Sequence, residues 1–470
     1  MHHNGTMELK NKRITVMGIG SHGGGVGNIK WLHQQGAILT VTDLRLEGEL
    51  RESLEEIGLL PDINWVLGEH REDDFTNADM VLRNPAVPKN SPYLEIARKS
   101  HVPVEMDSSL FLKLSPTDNI FGVTGSKGKS TTVHVLASLM SLKYAKVAAI
   151  GIEGSSPLAA LTGLTARDLV VFELSSWRLE GLAEWELSPA TAIVTSLYRD
   201  HLNTYDSFDE YVETKKAIVR HQTIDDLAML NFDDGLIRRW PADIPSRIAW
   251  YSLGMNIPGD GIGIHRGMVT IFQNRGNIPL FPVEAIPFSS DHEIRNALPA
   301  IYFSFCSGVR VSSIRLRLEN IKTLAHRMET VRVINNVTYI NDSAATIPDA
   351  TIAAIKSLSE RHLVLILGGS DKRLNFDNLC EVIREARIRG LVFLPGSATD
   401  RMLKEVASAW RHPPEIHEAG SMAEAVKTAV KIVKSDDVVL MSPAAASFGL
   451  FKNEFDRGRQ FKEAVMELLA

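Results

Sequence analysis

Phe121-Gly122-Val123-Thr124-Gly125-Ser126-Lys127-Gly128-Lys129-Ser130-Thr131-Thr132 is the stretch on which the fold turns. An apolar run over 119–123 enters a glycine-rich turn, and 133–140 leaves it with helical spacing. That pattern predicts a buried strand, a tight turn and a helix. Glycine lets the backbone close around phosphate oxygens with successive N–H groups facing inward, and the helix start adds the positive end of its dipole. Gly125, Ser126, Lys127, Gly128, Lys129, Ser130 and Thr131 are therefore expected to cradle a nucleoside triphosphate. Lys129 would reach the β and γ phosphates and the Ser130 hydroxyl would ligate Mg²⁺. One position departs from the GxxxxGK[ST] spacing: residue 123 is Val, and the early glycine sits one place upstream at Gly122. A glycine-rich turn that binds nothing is the alternative.

Outward from this segment, short β-branched runs alternate with helical patterns, as parallel sheets covered by helices require. A first set of strands is expected at 14–19, 38–42 and 80–82, and a second at 119–123, 146–150, Leu169–Glu173 and 191–195. A third follows at 363–367, 391–394 and Val438–Met441. Being apolar throughout, most read as strands buried on both faces. The polar run Leu114-Ser115-Pro116-Thr117-Asp118 suggests that a first domain closes near 108–116, and a second boundary is expected near 322. The Gly-, Pro- and Asn-rich stretch 240–287 reads as an antiparallel excursion within the second domain. A chain of 470 residues suits about three domains. With 51 basic against 57 acidic residues, net −6, there is no basic field for nucleic acid. Two distant cysteines, Cys306 and Cys380, exclude a disulfide framework and fit a reducing cytoplasm. No apolar run reaches the roughly 20 residues of a membrane span, and the N-terminus has no signal-peptide pattern.

Three further features carry chemistry. Gly18-Ile19-Gly20-Ser21-His22-Gly23-Gly24-Gly25 follows a buried strand, and Asp43 ends the next one, as in dinucleotide folds. The cluster points to a nucleotide or UDP-linked ligand more than to a redox cofactor, with a plain packing turn as the alternative. Glu173 stands at the carboxyl end of a parallel strand beside the phosphate loop, where a metal ligand or water-orienting group belongs; a turn-capping acid is the alternative. His201 follows another buried strand as a ligand or a solvated loop residue. Lys215 and Lys216 lie in an ordinary amphipathic helix, and composition alone reads both as surface lysines.

Taken together these motifs resemble the ATP-dependent Mur ligases, over nearly the whole chain. The matching stretches run in family order: the 122–132 loop, Glu173-Leu174-Ser175-Ser176, Asp200-His201, the 211–215 stretch, 231–234, Asn296-Ala297, His326-Arg327-Met328-Glu329, Asn341-Asp342-Ser343, Gly368-Gly369-Ser370-Asp371-Lys372, and 442–448. The resemblance implies an α/β chain of three domains: a Rossmann-like one at 7–110 for the UDP-linked substrate, a central P-loop ATPase-type parallel sheet at 111–322, and a Rossmann-like closing domain at 323–470. It implies addition of D-glutamate to UDP-N-acetylmuramoyl-L-alanine through an acyl phosphate, with ATP and Mg²⁺, by a cytoplasmic monomer. Gly20, Ser21, Asp43, Arg45 and Asn84 would face the UDP-linked substrate. Ser130, Glu173, His201 and a carbamylated Lys215 would serve Mg²⁺. Asn296, Arg327 and Asp342 would bind the adenine nucleotide, and Lys372, Ser447 and Phe448 the incoming glutamate.

Departures fall away from the ATP machinery. The family's Asp-Ser-Lys-Ala-Thr-Asn is Asp342-Ser343-Ala344-Ala345-Thr346-Ile347 here, its Gly-Asn-Ile-Gly is Gly151-Ile152-Glu153-Gly154, and the glutamine after Glu-Leu-Ser-Ser-Phe is Arg178. These changes admit L-glutamate as a rival substrate, or a regulatory protein without ligase activity. The lack of Asn-Lys-x-Asp after the loop argues against a P-loop GTPase or motor.

Overall fold

Three sheets account for the strand rhythm, and the computed structural model divides the chain into two compact units, residues up to 321 (the stretch 200–207 apart) and residues from 322 onward. It describes residues 7–20, 24–152, 155–199, 204–254, 256–274, 276–288, 290–321, 324–371, 374–409 and 414–468.

The first unit carries two sheets. One contains β1 (Arg13–Met17), β2 (Ile38–Asp43), β3 (Ile63–Leu67), β4 (Met80–Arg83) and β5 (Val104–Met106), all parallel in the order β3-β2-β1-β4-β5. The other contains β6 (Ile120–Thr124), β7 (Val147–Ile150), β8 (Leu169–Glu173), β9 (Thr191–Val194), β10 (Leu227–Asn231), β11 (Arg247–Tyr251), β12 (Gly261–His265), β13 (Met268–Phe272) and β14 (Ile278–Pro282). Its order, β14-β13-β12-β11-β10-β9-β6-β8-β7, puts β6 between β8 and β9. The chain runs from β6 to one side and returns to the other through β8 and β9, so a ligand crevice opens at the carboxyl end of β6. The second unit holds β15 (Glu329–Ile334), β16 (Val337–Asn341), β17 (Leu363–Gly368), β18 (Ile388–Leu394), β19 (Glu415–Glu418) and β20 (Val438–Met441), ordered β15-β16-β20-β17-β18-β19. All of its pairings are parallel except β15 with β16.

The α/β class and the parallel sheets expected from the sequence are observed. Strand edges shift by a residue or a few: the expected 14–19 is Arg13–Met17, and 391–394 lengthens to Ile388–Leu394. The stretch 240–287 needs a correction. Its first strand, β11, pairs parallel with β10, and β12 pairs parallel with β11; only β13 and β14 turn antiparallel. Composition did not reveal this because Gly261 and Gly263 weaken β12 as a sequence pattern.

The two sheets of the first unit are tied by the helix Ser176–Glu184. It follows β8 but packs along the β5 edge of the first sheet. Glu180 pairs at 2.6 Å with Arg83, both nearly buried, and the Trp185 indole N–H donates to Val104 O at 2.9 Å. Glu184 pairs with Arg98, and Ser108 Oγ donates to Arg178 O at 2.8 Å. Gly181 lies so close to Met106 that a Cβ would fall 2.7 Å from its side chain. Removing one partner of a buried pair such as Arg83–Glu180 costs about 3–5 kcal/mol. Among the described residues no helix is long and apolar enough to cross a membrane.

Candidate active site

β6 ends at Thr124, the turn 125–128 follows, and the helix Lys129–Met140 begins at once. Gly125 and Gly128 are required by shape. Gly128 has φ +88°, and a Cβ there would meet Asn296 Oδ1 at 2.4 Å; one on Gly125 would meet Thr195 Oγ1 at 1.9 Å. Gly122, by contrast, packs on Pro189 inside β6, so the glycine displaced from the usual spacing serves the sheet and not the loop. The loop is held from the β9 side. Ser126 N donates to Ser196 O at 2.7 Å, Lys127 N to Ser196 Oγ at 3.1 Å, and Thr195 Oγ1 to Lys127 O. Helix geometry leaves the N–H groups of its first turn without intrahelical partners. Lys129 Nζ rests 3.0 Å from Gly125 O and 3.4 Å from Ser126 O, at the mouth of the turn. Asn296 is brought onto the loop by its helix, Asp291–Cys306, and its carbonyl accepts from Thr132 Oγ1 at 3.0 Å.

Glu173 lies beside Val123 in the β6–β8 register, one strand from the loop. Its Oε2 is buried and has no hydrogen-bond partner among the described residues. A carboxylate oxygen left so costs about 1–3 kcal/mol or more, which a cation would offset. The turn-capping alternative fails, because Ser175 Oγ caps the next helix by accepting from Arg178 N. Lys215 corrects the surface reading of the sequence: it is 1% exposed. It lies one helical turn after Tyr211, also 1% exposed, on the inner face of the helix Phe208–Arg220. Lys215 Nζ lies 4.7 Å from the Tyr211 ring centre, and Tyr211 Oη is 3.1 Å from Ser126 Oγ. The helix thus reaches the phosphate loop, and its amphipathic pattern hid that because a buried polar pair scores as surface. Lys216 also departs from the surface reading, its side chain only 12% exposed where it pairs with the exposed Asp243. His201 lies outside the described residues. Among them no group of three or more His, Cys, Asp or Glu could hold a metal alone.

In the first sheet, Asp43 at the end of β2 accepts from Ile19 N at 3.0 Å and holds Arg45 through two side-chain bonds of 3.0 and 2.8 Å. Burial opposes its charge, but the Arg45 guanidinium and the N–H groups of Arg45 and Ile19 outweigh that and keep the carboxyl below its ordinary range. Asn84, after β4, closes against the glycine turn: a Cβ on Gly20 would fall 2.8 Å from Asn84 Nδ2. Gly20, Asp43, Arg45 and Asn84 therefore cluster at the switch point between β1 and β4. Ser21 lies outside the described residues.

A cleft of about 770 Å³, lined by Tyr198, Asn231, Asp233, Asp234, Arg238 and Arg295, opens beside the phosphate loop. Asp234 Oδ2 accepts from Leu197 N at 2.8 Å, and Asp233 pairs with Arg295, the residue before Asn296, at 2.7 Å. Its volume suits a nucleoside.

In the second unit, Asp342 after β16 is fixed by Ser442 Oγ at 2.8 Å and by Met328 N at 3.2 Å, which ties the segment around Arg327 to the loop after β20. Ser447 is buried and Phe448 is exposed on that same loop. Lys372 lies outside the described residues. Ile347, where the family pattern has an amide, is fully buried at a helix start, so this departure is absorbed by packing. Sequence reading missed Arg457. Fully buried, it donates to Ser343 Oγ, Ser343 O and Ala445 O at 2.9–3.0 Å, and burial lowers its pKa to about 10. An arginine inside the helix Glu454–Met466 gave no signal beyond its place in an apolar stripe.

His326 is buried against Gly458, with Asn341 Nδ2 2.9 Å from its Nδ1, and burial lowers its pKa below the usual 6.5. Burial does the same for His70 and His221. Depressed folded-state values favour the folded chain above pH 6.5, and that contribution is lost as pH falls through them. Urea midpoints are therefore expected to stay level from pH 8 to 7 and to decline below pH 6.5, before the carboxylates titrate. A midpoint that rises on acidification from 7 to 5.5 would refute this.

Three family models match the chain: a Mur ligase MurD-like N-terminal domain over residues 12–105, a Mur ligase middle domain over 123–303, and a Mur ligase glutamate ligase domain over 326–445. A UDP-N-acetylmuramoylalanine–D-glutamate ligase of Roseiflexus sp. (strain RS-1) is 38% identical, covering 98% of this chain and 99% of its own. One from Clostridioides difficile (strain 630) is 31% identical over 98% and 100%. Among solved structures, the UDP-N-acetylmuramate–alanine ligase MurC of Thermotoga maritima superposes with a TM-score of 0.61 at 19% identity, covering 97% and 99%. The MurF ligase of Thermotoga maritima in complex with ADP gives 0.58 at 16%, covering 98% and 100%. At such identities the solved structures speak for the fold alone.

Proposed function

The chain belongs to the Mur ligase family, and on that footing we propose that it joins D-glutamate to UDP-N-acetylmuramoyl-L-alanine at the expense of ATP, in peptidoglycan precursor synthesis. The observation that carries the chemistry is the phosphate loop with Lys129 at its mouth and the buried, unpartnered Glu173 oxygen beside it.

A carboxylate is a poor acylating agent because it offers no leaving group. An oxygen of the alanyl carboxylate attacks the γ-phosphorus of ATP, ADP departs, and an acyl phosphate remains. Lys129 and the N–H groups of the loop neutralise charge on the transferring phosphoryl group. The glutamate amine then adds to the carbonyl, loses a proton, and the tetrahedral adduct expels inorganic phosphate. Asn296 and the neighbouring cleft are read as the adenosine subsite; Arg327 and Asp342 are read by motif match as further residues for the adenine nucleotide. Gly20, Ser21, Asp43, Arg45 and Asn84 are read as holding the UDP end, and Lys372, Ser447 and Phe448 as gripping glutamate.

The donor set fits Mg²⁺, a hard cation bound by a few protein oxygens together with substrate phosphates. Ser130, Glu173, His201 and Lys215 would hold it, and when bound it would draw charge from the phosphoryl oxygens. Lys215, buried one helical turn after Tyr211 and close to the phosphate loop, is read as a carbamate, formed when its neutral amine adds to CO₂ and releases a proton. Location in the cytoplasm agrees with both cysteines being free thiols. A monomer is the state we assign.

The test is phosphate release from ATP with UDP-N-acetylmuramoyl-L-alanine, offering D-glutamate, L-glutamate and other amino acids separately, with mass and chiral analysis of products. Turnover with D-glutamate alone is expected. Turnover confined to L-glutamate would overturn the substrate, and nucleotide binding without turnover would favour a regulatory role.

A further inference from the structure

We propose that Arg178 is a positioning residue that fixes the Gly151-Ile152 segment over Glu173 and so sets where the acceptor carboxylate meets the γ-phosphoryl group; this rests on the ligase reading above. Arg178 is the third residue of the helix Ser176–Glu184. A cation there opposes the helix dipole, so its presence needs a compensating partner. That partner is Asp107, 2% exposed, which accepts from Nε at 3.2 Å and from Nη2 at 3.0 Å. The paired geometry locks the plane of the guanidinium. Nη1 is then aimed elsewhere, and it donates to Gly151 O at 2.8 Å.

Gly151 is held from the opposite side by β8. Its φ is +75°, and a Cβ would stand 2.4 Å from Glu173 O. The peptide is thus pinched between the Arg178 guanidinium and the backbone of the very residue whose carboxylate oxygen lies buried without a partner. Ser156 packs on the first sheet's leading helix, Gly24–Gln34. Ser156 Oγ donates to Asn28 Oδ1 at 2.6 Å, and a Cβ on Gly27 would lie 2.4 Å from Ser156 Cβ. Gly151, which follows β7, thus stands at the end of β8, Ser156 stands against the helix that follows the UDP-side glycine turn, and Ile152 is an exposed apolar residue beside Gly151, 36% accessible. On the ligase reading, an acceptor held at the UDP-side turn and phosphorylated beside Glu173 would lie along Gly151 and Ile152.

One departure from the family pattern, Arg178, bonds to Gly151, the residue next to another departure, Ile152. A glutamine in place of Arg178 has a single NH₂ group and lacks the fork that serves Asp107 and Gly151 O together. Height and tilt of the segment consequently depend on the arginine, and a displacement of about 1 Å at a reacting centre can cost about a hundredfold in rate.

Arg178→Ala, Arg178→Gln, Arg178→Lys and Asp107→Asn would be compared in the full chain by steady-state kinetics, varying the acceptor and ATP separately, with melting temperatures alongside. For Arg178→Ala and Arg178→Gln, KM for the acceptor is expected to rise about tenfold and kcat to fall about tenfold. KM for ATP should stay within twofold. Arg178→Lys keeps the charge near Asp107 and should recover part of both losses, and Asp107→Asn should reproduce the split at smaller size. Acceptor KM and kcat within twofold of wild type in Arg178→Gln would overturn the proposal. So would a parallel rise in both KM values, the mark of a purely structural role. Should the alanine variant not fold, the glutamine and lysine variants decide by the same criteria. Wild-type enzyme without turnover would indict the ligase reading instead.

Discussion

Lys129→Ala is expected to lower ATP-dependent phosphate release by about a thousandfold, whichever acceptor and amino acid are supplied. The magnitude follows from its station. Lys129 is the first residue of its helix, and its ammonium rests on the carbonyls of Gly125 and Ser126, the turn that would close around the phosphates. The transferred group spreads negative charge over three oxygens, and a cation fixed at that point acts on the transition state more than on bound ATP. The side chain is only partly buried, so its loss leaves the core intact and the melting temperature should move little. Binding of ADP should weaken far less than turnover. A folded Lys129→Ala protein with a tenth of wild-type activity would sink the mechanism.

Lys215→Met should cost about a hundredfold to a thousandfold in kcat, on a different physical basis. A methionine matches the length of the lysine stem, exchanging one methylene for sulfur and removing the nitrogen, so the buried stem beside Tyr211 is filled and the fold should be kept. On the proposed reading, the carbamate site would be lost and with it an anionic oxygen pair for Mg²⁺. Wild-type enzyme freed of CO₂ should lose activity and regain it with bicarbonate, and ¹³C-labelled bicarbonate should give one carbamate resonance absent from Lys215→Met. Near-normal turnover of the methionine variant would exclude the carbamate from the reaction. Loss of turnover with no CO₂ dependence in the wild type would leave Lys215 a metal-free structural contact.

Parallel sheets were legible in the chain because strands buried on both faces read as unbroken apolar runs. β8 and β20 are found at the bounds the sequence predicts. The phosphate loop was legible too, since its glycines answer to steric demands that few other sequences satisfy. Less visible were β3, an edge strand carrying Asn64, and β5, three residues long around the buried Glu105 that Lys113 and Ser109 satisfy. Burial of Lys215 could not be read from periodicity, because polarity and not depth is what a periodic pattern reports. Nor could the Arg178–Asp107–Gly151 contact, whose members are separated by 71 and 27 positions and meet only through the topology of two sheets.

The helix Ser176–Glu184 has a consequence for recombination among such ligases. A chimera cut at the polar run 114–118, where the two sheets part in sequence, would join a foreign first domain to a helix shaped for Arg83, Arg98, Val104, Met106 and Asp107. Every one of those complementary surfaces would be mismatched at once. The unit of substrate-domain exchange is therefore discontinuous, the first 114 residues together with 176–185 and the Ser156 contact on Gly27 and Asn28, and a swap of the former is expected to need the latter to match.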